Sequence, residues 1–246
     1  MLPQNLFEHL ELPPRYKPIN PYVQTYVENQ TKRHLPIVHG SDLKTFPGLW
    51  REKAFSEKNR KIDKLVLEIG SHNGKTFCEM AGQHPDTGFV GMDITFKRIV
   101  STAEKVASLS LSNASLILAD ARVVPQIFHP GELDGVIAFF PDPWTKKKKQ
   151  AHKRLFTDAY CQNLSLLLRK TGFFWFRTDS ELYYEEVCSF MKGLNWPKEL
   201  RTLEEETVHN PWGDSLTYES SFHARFKEQG QSIFQGLWRK REGVIW

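Results

Sequence analysis

Gly135-Val136-Ile137-Ala138-Phe139-Phe140 runs straight into Pro141-Asp142-Pro143-Trp144, with Lys146 to Lys149 and Lys153-Arg154 close behind. The apolar run predicts a buried strand that stops abruptly in a rigid turn. Pro141 and Pro143 fix φ on both sides of Asp142 and restrict the residues before them, so the carboxylate is held at the strand's C-terminal end with little freedom. Open α/β sheets bind ligands at that edge, and a stiff carboxylate, an aromatic face and a block of cations there imply a site for a nucleic-acid base with its phosphates. Singly, Pro-Asp-Pro is a turn and a lysine run is a solvated face. Their adjacency carries the reading.

Upstream, strands alternate with helices. Leu65-Val66-Leu67-Glu68-Ile69-Gly70 is a short buried strand, and Ser71-His72-Asn73-Gly74 turns into a helix that buries Phe77, Met80 and Ala81. Phe89 to Asp93 is a second strand. Phe96, Ile99, Val100, Ala103, Val106 and Ala107 then fall at helical spacing. Ser115 to Ala119 is a third strand ending at Asp120, and Leu133 to Phe140 is the fourth. Downstream, Leu155, Ala159, Tyr160, Leu164, Leu167 and Leu168 mark a helix with Gly172 placed to cap it. Phe173 to Phe176 forms a strand ending at Thr178-Asp179, and Tyr183, Val187, Phe190, Met191 and Leu194 line the next helix. This alternation predicts a mostly parallel sheet with right-handed crossovers. Period-two hints at Leu203 to Thr207 and Thr217 to Phe226 suggest an antiparallel pair closing it.

A chain of 246 residues, 40% hydrophobic, can bury a full core in one large domain, here 61–246. Residues 1–60, punctuated by prolines from Pro3 to Pro47, read as a loosely ordered extension. A net charge of +4 and a pI near 8.8 are mild, so attraction to nucleic acid must come from where the lysines sit. Cys78, Cys161 and Cys188 have no CxxC spacing, which argues against a disulfide framework or a structural metal. No apolar stretch is long enough to span a bilayer and no secretory pattern opens the chain, so the expectation is a cytoplasmic protein, monomeric or weakly dimeric.

Glu68, Asp93, Asp120, Asp142 and Asp179 lie at or next to strand ends, which in a parallel sheet places them along one edge. A small-residue turn opening a helix, with Asp93 able to accept from ribose hydroxyls, describes a nucleoside binder. A dinucleotide fingerprint starting at Gly70 would need glycine at 72 and 75, where this chain has His72 and Lys75. Glu68 would repel a pyrophosphate but suits a cationic ligand, a sulfonium carrying an amino group, which favours S-adenosylmethionine. Each acid has a helix cap as its alternative reading.

At Phe140-Pro141-Asp142-Pro143-Trp144-Thr145-Lys146 and His152-Lys153-Arg154-Leu155 the chain resembles the bacterial tRNA (guanine-N7)-methyltransferases, the TrmB family. Glu68-Ile69-Gly70, Gly74, Asp93, Asp120, Thr178-Asp179 and Gly230-Gln231-Ser232-Ile233 extend the likeness from about Leu65 to Ile233. The resemblance implies a Rossmann-like class I methyltransferase fold: a mostly parallel seven-stranded sheet with helices on both faces and an antiparallel C-terminal pair. It implies S-adenosylmethionine as methyl donor and N7 of a variable-loop guanosine in tRNA as acceptor. On it, Glu68, Gly70, Gly74, Asp93 and Asp120 hold the cofactor, and Asp142, the catalytic residue, sits as a buried carboxylate between cofactor and base. Lys146, Asp179, Ser220 and His223 contact the substrate, Lys147, Lys153 and Arg154 bind phosphates, and Trp144 packs in the core or stacks on a base. The chain departs from the family's pattern at His72, Asp93 and His223, and Thr217-Tyr218-Glu219 offers a shifted carboxylate. Two rivals remain: methylation of an exocyclic amine on RNA, and a tRNA-binding protein without turnover.

Overall fold

The computed structural model describes residues 20–55, 61–144, 148–196, 210–214 and 216–240. Two compact units divide the chain, Met1–His129 and Pro130–Trp246.

The first unit opens on α1 (Pro21–Lys32), β1 (Ile37–Val38), α2 (Gly40–Leu43) and α3 (Trp50–Lys53). It continues through β2 (Lys64–Ile69), α4 (Lys75–Gln83), β3 (Thr87–Asp93), α5 (Phe96–Ser108), β4 (Ala114–Leu118) and α6 (Val124–Ile127). Its strands lie in the order β1-β4-β3-β2, all parallel. The spacing that predicts α5 is what packs it: Ile99, Val100, Ala103 and Val106 are buried, while Ala107 stays exposed. Asn113 ties the end of α4 to β3 by donating to the carbonyls of Ala81 at 2.9 Å and Thr87 at 2.8 Å.

Residues 20–55, read from sequence as part of a loose extension, carry three helices and an edge strand. Their signals are local and short. Asn20 caps α1 by accepting from the Tyr22 N–H, with Pro21 in the first turn, and Ile37 and Val38 pair with Leu116 and Ile117 of β4. Trp50 is fully buried, donating from Nε1 to the Ile127 carbonyl at 2.6 Å and stacking on Phe128.

The second unit holds β5 (Leu133–Phe139), α7 (Asp158–Leu167), β6 (Leu168–Thr178), α8 (Glu181–Gly193), α9 (Ser221–Glu228) and β7 (Phe234–Arg239). β5 and β6 are parallel, and β7 runs antiparallel to β6. Among the described residues seven strands, mostly parallel with β7 antiparallel to β6, make the expected α/β architecture.

The closing strand comes from other residues than the period-two hint suggests. Thr217 to Phe226 is not a strand: Ser220 caps α9, and Phe222 and Phe226, one turn apart, pack on Phe140 with ring centroids at 6.0 and 5.3 Å. Leu203 to Thr207 lies outside the described residues. Gly172 does not cap α7 either, because β6 starts at Leu168 and the left-handed residue is Thr171, at φ 68°.

Candidate active site

Glu68 is the penultimate residue of β2 and is 2% exposed. Its Oε2 has no hydrogen-bond partner. Burial first, then the charge of Asp93, pushes its carboxyl up to about 8. Gly70 follows at φ 82° and donates its N–H to the Met92 carbonyl at 2.7 Å. His72 occupies a left-handed φ of 49°, which glycine adopts without strain and a histidine does not. Gly74 is required twice over: its φ is 69°, and a Cβ there would stand 2.5 Å from Cγ2 of Thr102. Ser71 Oγ and Thr102 Oγ1 are also buried without a partner. Glu68 Oε2, Ser71 Oγ and Thr102 Oγ1, all on or against the glycine turn, fit a small polar ligand rather than packed core, since a buried polar atom left unpaired is costly.

Asp120 takes the local capping role that the sequence left open, whereas Asp93 bonds the residue two positions on without capping α5, whose N-cap is Thr95. Asp93 Oδ1 accepts from Thr95 N–H and Oγ1, each at 3.0 Å, and Oδ2 meets Arg98 Nη1 at a loose 3.4 Å. Asp120 accepts from the Arg122 N–H at 2.9 Å, starting a 3₁₀ turn. Both remain at the C-terminal ends of parallel strands.

In the second unit the Pro-Asp-Pro turn leaves β5 through Phe140, at φ 53°, whose N–H donates to the Arg177 carbonyl at 2.8 Å. Asp142 is exposed, not buried. The strand ends at Phe139, two residues before the first proline, and the carboxylate is carried beyond the core. Trp144 is 36% exposed, so it is not a core residue, and Lys153 Nζ lies 5.0 Å from its ring.

Arg154 corrects a further expectation. It is buried, donates from Nε to the Pro143 carbonyl at 2.7 Å, pairs with Glu186 and lies over the Tyr183 ring. A guanidinium so placed holds the turn and is not presented to phosphates. Lys146 and Lys147 lie outside the described residues. Asp179 is exposed after β6 and does not cap α8, since Ser180 accepts from the Tyr183 N–H.

In the same unit, a cavity of about 330 Å³ is lined by Arg177, Thr217, Glu219, His223, Lys227, Gln231 and Ile233. Both candidate segments reach it, Glu219 from one and His223 from the other, their side chains 3.8 Å apart. Ser220 does not line it among the described residues; its Oγ accepts from the His223 N–H at 3.1 Å. Burial and the charge of Arg177 hold the His223 ring down near 4, so it is neutral at physiological pH.

Arg177 is the residue that sequence reasoning missed. It is fully buried, pairs with Gln235, donates to the carbonyls of Tyr218 at 2.8 Å and Thr217 at 2.9 Å, and lies against the rings of Phe139 and Trp175. Its signal was a lone charge inside the aromatic strand Phe173 to Thr178. Among the described residues no cluster of His, Cys, Asp and Glu is arranged to hold a metal, and no helix is long and apolar enough to cross a membrane.

Residues 63–236 match the model of a family described as "Putative methyltransferase". Over 87% of its length the chain is 30% identical to a tRNA (guanine-N(7)-)-methyltransferase of Exiguobacterium sp., covering 93% of that protein. It is also 30% identical, over 81% of its length, to a tRNA (guanine-N(7)-)-methyltransferase of Thermotoga maritima, of which it covers 60%. A bifunctional glycosyltransferase/methyltransferase of Fusobacterium nucleatum is 27% identical over 59% of the chain, which spans 22% of it. The chain thus spans less than two thirds of the last two proteins. In structure it is similar to a 16S rRNA (adenine(1408)-N(1))-methyltransferase from Catenulisporales acidiphilia, with a TM-score of 0.53, 16% identity, and coverage of 75% of this chain and 89% of that one. At that identity the likeness concerns the fold.

Proposed function

The chain belongs to the tRNA (guanine-N7)-methyltransferase family, and from that premise we propose that it transfers a methyl group from S-adenosylmethionine to N7 of a variable-loop guanosine in tRNA. The observation that carries the proposal is the buried, unpartnered Glu68 beside a glycine turn.

Glu68, Gly70, Gly74, Asp93 and Asp120 would hold the donor. Glu68 is suited to its ammonium, since a neighbouring cation restores the charge that burial has suppressed. Asp93 keeps Oδ2 as the oxygen able to accept from ribose, its Oδ1 being committed to Thr95. The donor supplies a methyl group on a sulfonium sulfur, whose positive charge passes to the guanine as the N7 lone pair takes the methyl.

N7 carries no proton, so no general base is required and the protein's work is positioning and charge. Asp142 faces a purine that becomes cationic and stabilises it more in the transition state than in the ground state. Because the carboxylate is exposed, water screens it until bound RNA covers the turn, and its effect then strengthens as the local dielectric falls. Lys153, Asp179 and the Glu219–His223 cavity contribute substrate contacts, with Lys146 and Lys147 adding charge for phosphates.

The test is methyl transfer from labelled S-adenosylmethionine to unmodified tRNA by wild type and Asp142→Ala, followed by nucleoside analysis. Label in 7-methylguanosine, reduced at least about 100-fold in the variant, is the expected outcome. Label in N6-methyladenine would transfer the assignment to an exocyclic amine. Tight tRNA binding with no label would make the protein a binder without turnover.

A further inference from the structure

Trp144 is an exposed indole that carries a lysine ammonium over its ring. Trp50, Trp175, Trp196 and Trp238 are all buried, whereas Trp144 exposes 36% of its surface. Its position is set by the protein rather than left to the solvent. The preceding carbonyl, that of Pro143, is gripped by Arg154 Nε at 2.7 Å, and Arg154 is itself buried, paired with Glu186 and laid over Tyr183. Lys153, the neighbour of that anchored arginine, places its Nζ 5.0 Å from the indole ring. One buried arginine therefore fixes both partners: the turn that carries the ring and the residue beside the cation that lies over it.

We infer that Trp144 and Lys153 form a nucleotide-binding pair, in which an unpaired base of the RNA substrate stacks on the indole and displaces the Lys153 ammonium onto that nucleotide's phosphate. The inference rests on the proposed RNA substrate and adds to it a second contact, distinct from the methylated guanine. The chemistry selects the ligand. An exposed indole face takes any nucleobase, and an exposed cation over an aromatic ring is weakly held and exchangeable. An apolar protein surface would strand the ammonium, and a phosphate alone would leave the indole uncovered. An unpaired nucleotide satisfies both groups at once. The exchange also links them: the lysine is released to a phosphate only where a base has arrived, so duplex phosphates without an accessible base gain less from it.

The experiment compares wild type with Trp144→Ala, Trp144→Phe and Lys153→Met, measuring binding of unmodified tRNA and of a single-stranded oligonucleotide across a salt series. Trp144→Ala should weaken both about 10-fold or more, and Trp144→Phe, which keeps an aromatic face, should stay within about 3-fold of wild type. Lys153→Met should lower the salt slope by about one. S-adenosylmethionine affinity should be unchanged in Trp144→Ala, which shows that the variant is folded. The tryptophan emission that Trp144→Phe lacks should lose its acrylamide quenching when RNA binds.

RNA affinity unaltered in Trp144→Ala, or emission that stays equally quenchable in the complex, would overturn the inference even if 7-methylguanosine is made. If no methyl transfer occurs but the Trp144 dependence of oligonucleotide binding holds, the platform stands and the reaction assignment alone falls.

Discussion

Glu68 shows how burial sets the charge of one side chain. Its carboxyl, ordinarily at 4.5, is raised to about 8 by burial and by Asp93. The folded protein therefore keeps a proton that the unfolded chain releases, so Glu68 supports the fold at low pH and loses that support as pH rises from about 4.5 through about 8. Glu68→Gln should raise the unfolding midpoint of the ligand-free protein by a few degrees at pH 8 and by little at pH 5. The same change should weaken S-adenosylmethionine binding at least about 10-fold by calorimetric titration. Equal midpoints for the two proteins at pH 8 would contradict the buried state of this carboxyl. Lys153 and Arg154 carry a different lesson. They adjoin in sequence, yet one lies over an exposed ring and the other is buried against Glu186, a partner 32 positions away. No local pattern distinguishes them.

Elements with a strong internal period, α4, α5 and α8, were legible because burial of their apolar stripe is the same fact as the spacing. Elements held by single polar contacts were not. The segment from α1 to α2 is joined through Asn29, which accepts from the Leu35 N–H at 2.8 Å and whose Nδ2 lies 3.1 Å from His39 Nε2. Since Oδ1 is committed as an acceptor, Nδ2 is a donor and His39 must accept through Nε2, which it can do only when neutral. Burial and Arg33 hold that ring near 4 against its ordinary 6.5. The folded state binds fewer protons in that window, so stability is lost as pH falls from about 6.5 toward 4. His39→Gln should flatten this loss by on the order of 2 kcal/mol at pH 4, read from urea unfolding at several pH values. His223 acts in the same direction and stays in both proteins, so the difference isolates His39. An unchanged slope would remove the histidine from the junction. α9 was misread for a related reason: an N-cap at Ser220 followed by Phe222 and Phe226 is a helix signal that a short alternating pattern concealed.

Across the molecule, Cys78 and Cys161 are buried free thiols, pushed up to about 11 and about 12 by burial, with Cys188 partly exposed. A thiol reagent at pH 8 should label Cys188 at least about 10-fold faster than either of the others in the native protein, and all three after denaturation, as read by mass spectrometry. Cys161 reacting as fast as Cys188 would mean that the helix carrying it is not packed as described. By itself the sequence determined the alternation of strands and helices, the glycine turn before α4, the rigid carboxylate after β5 and the family, because hydrophobic period and local backbone restriction are properties of neighbouring residues. Only the tertiary structure decided that Asp142 and Trp144 are exposed, that Arg154 holds a turn instead of a phosphate, and that Arg177 joins Thr217, Tyr218 and Gln235. A charged side chain is buried or exposed according to partners that the fold brings from tens of residues away, and that pairing has no period to read.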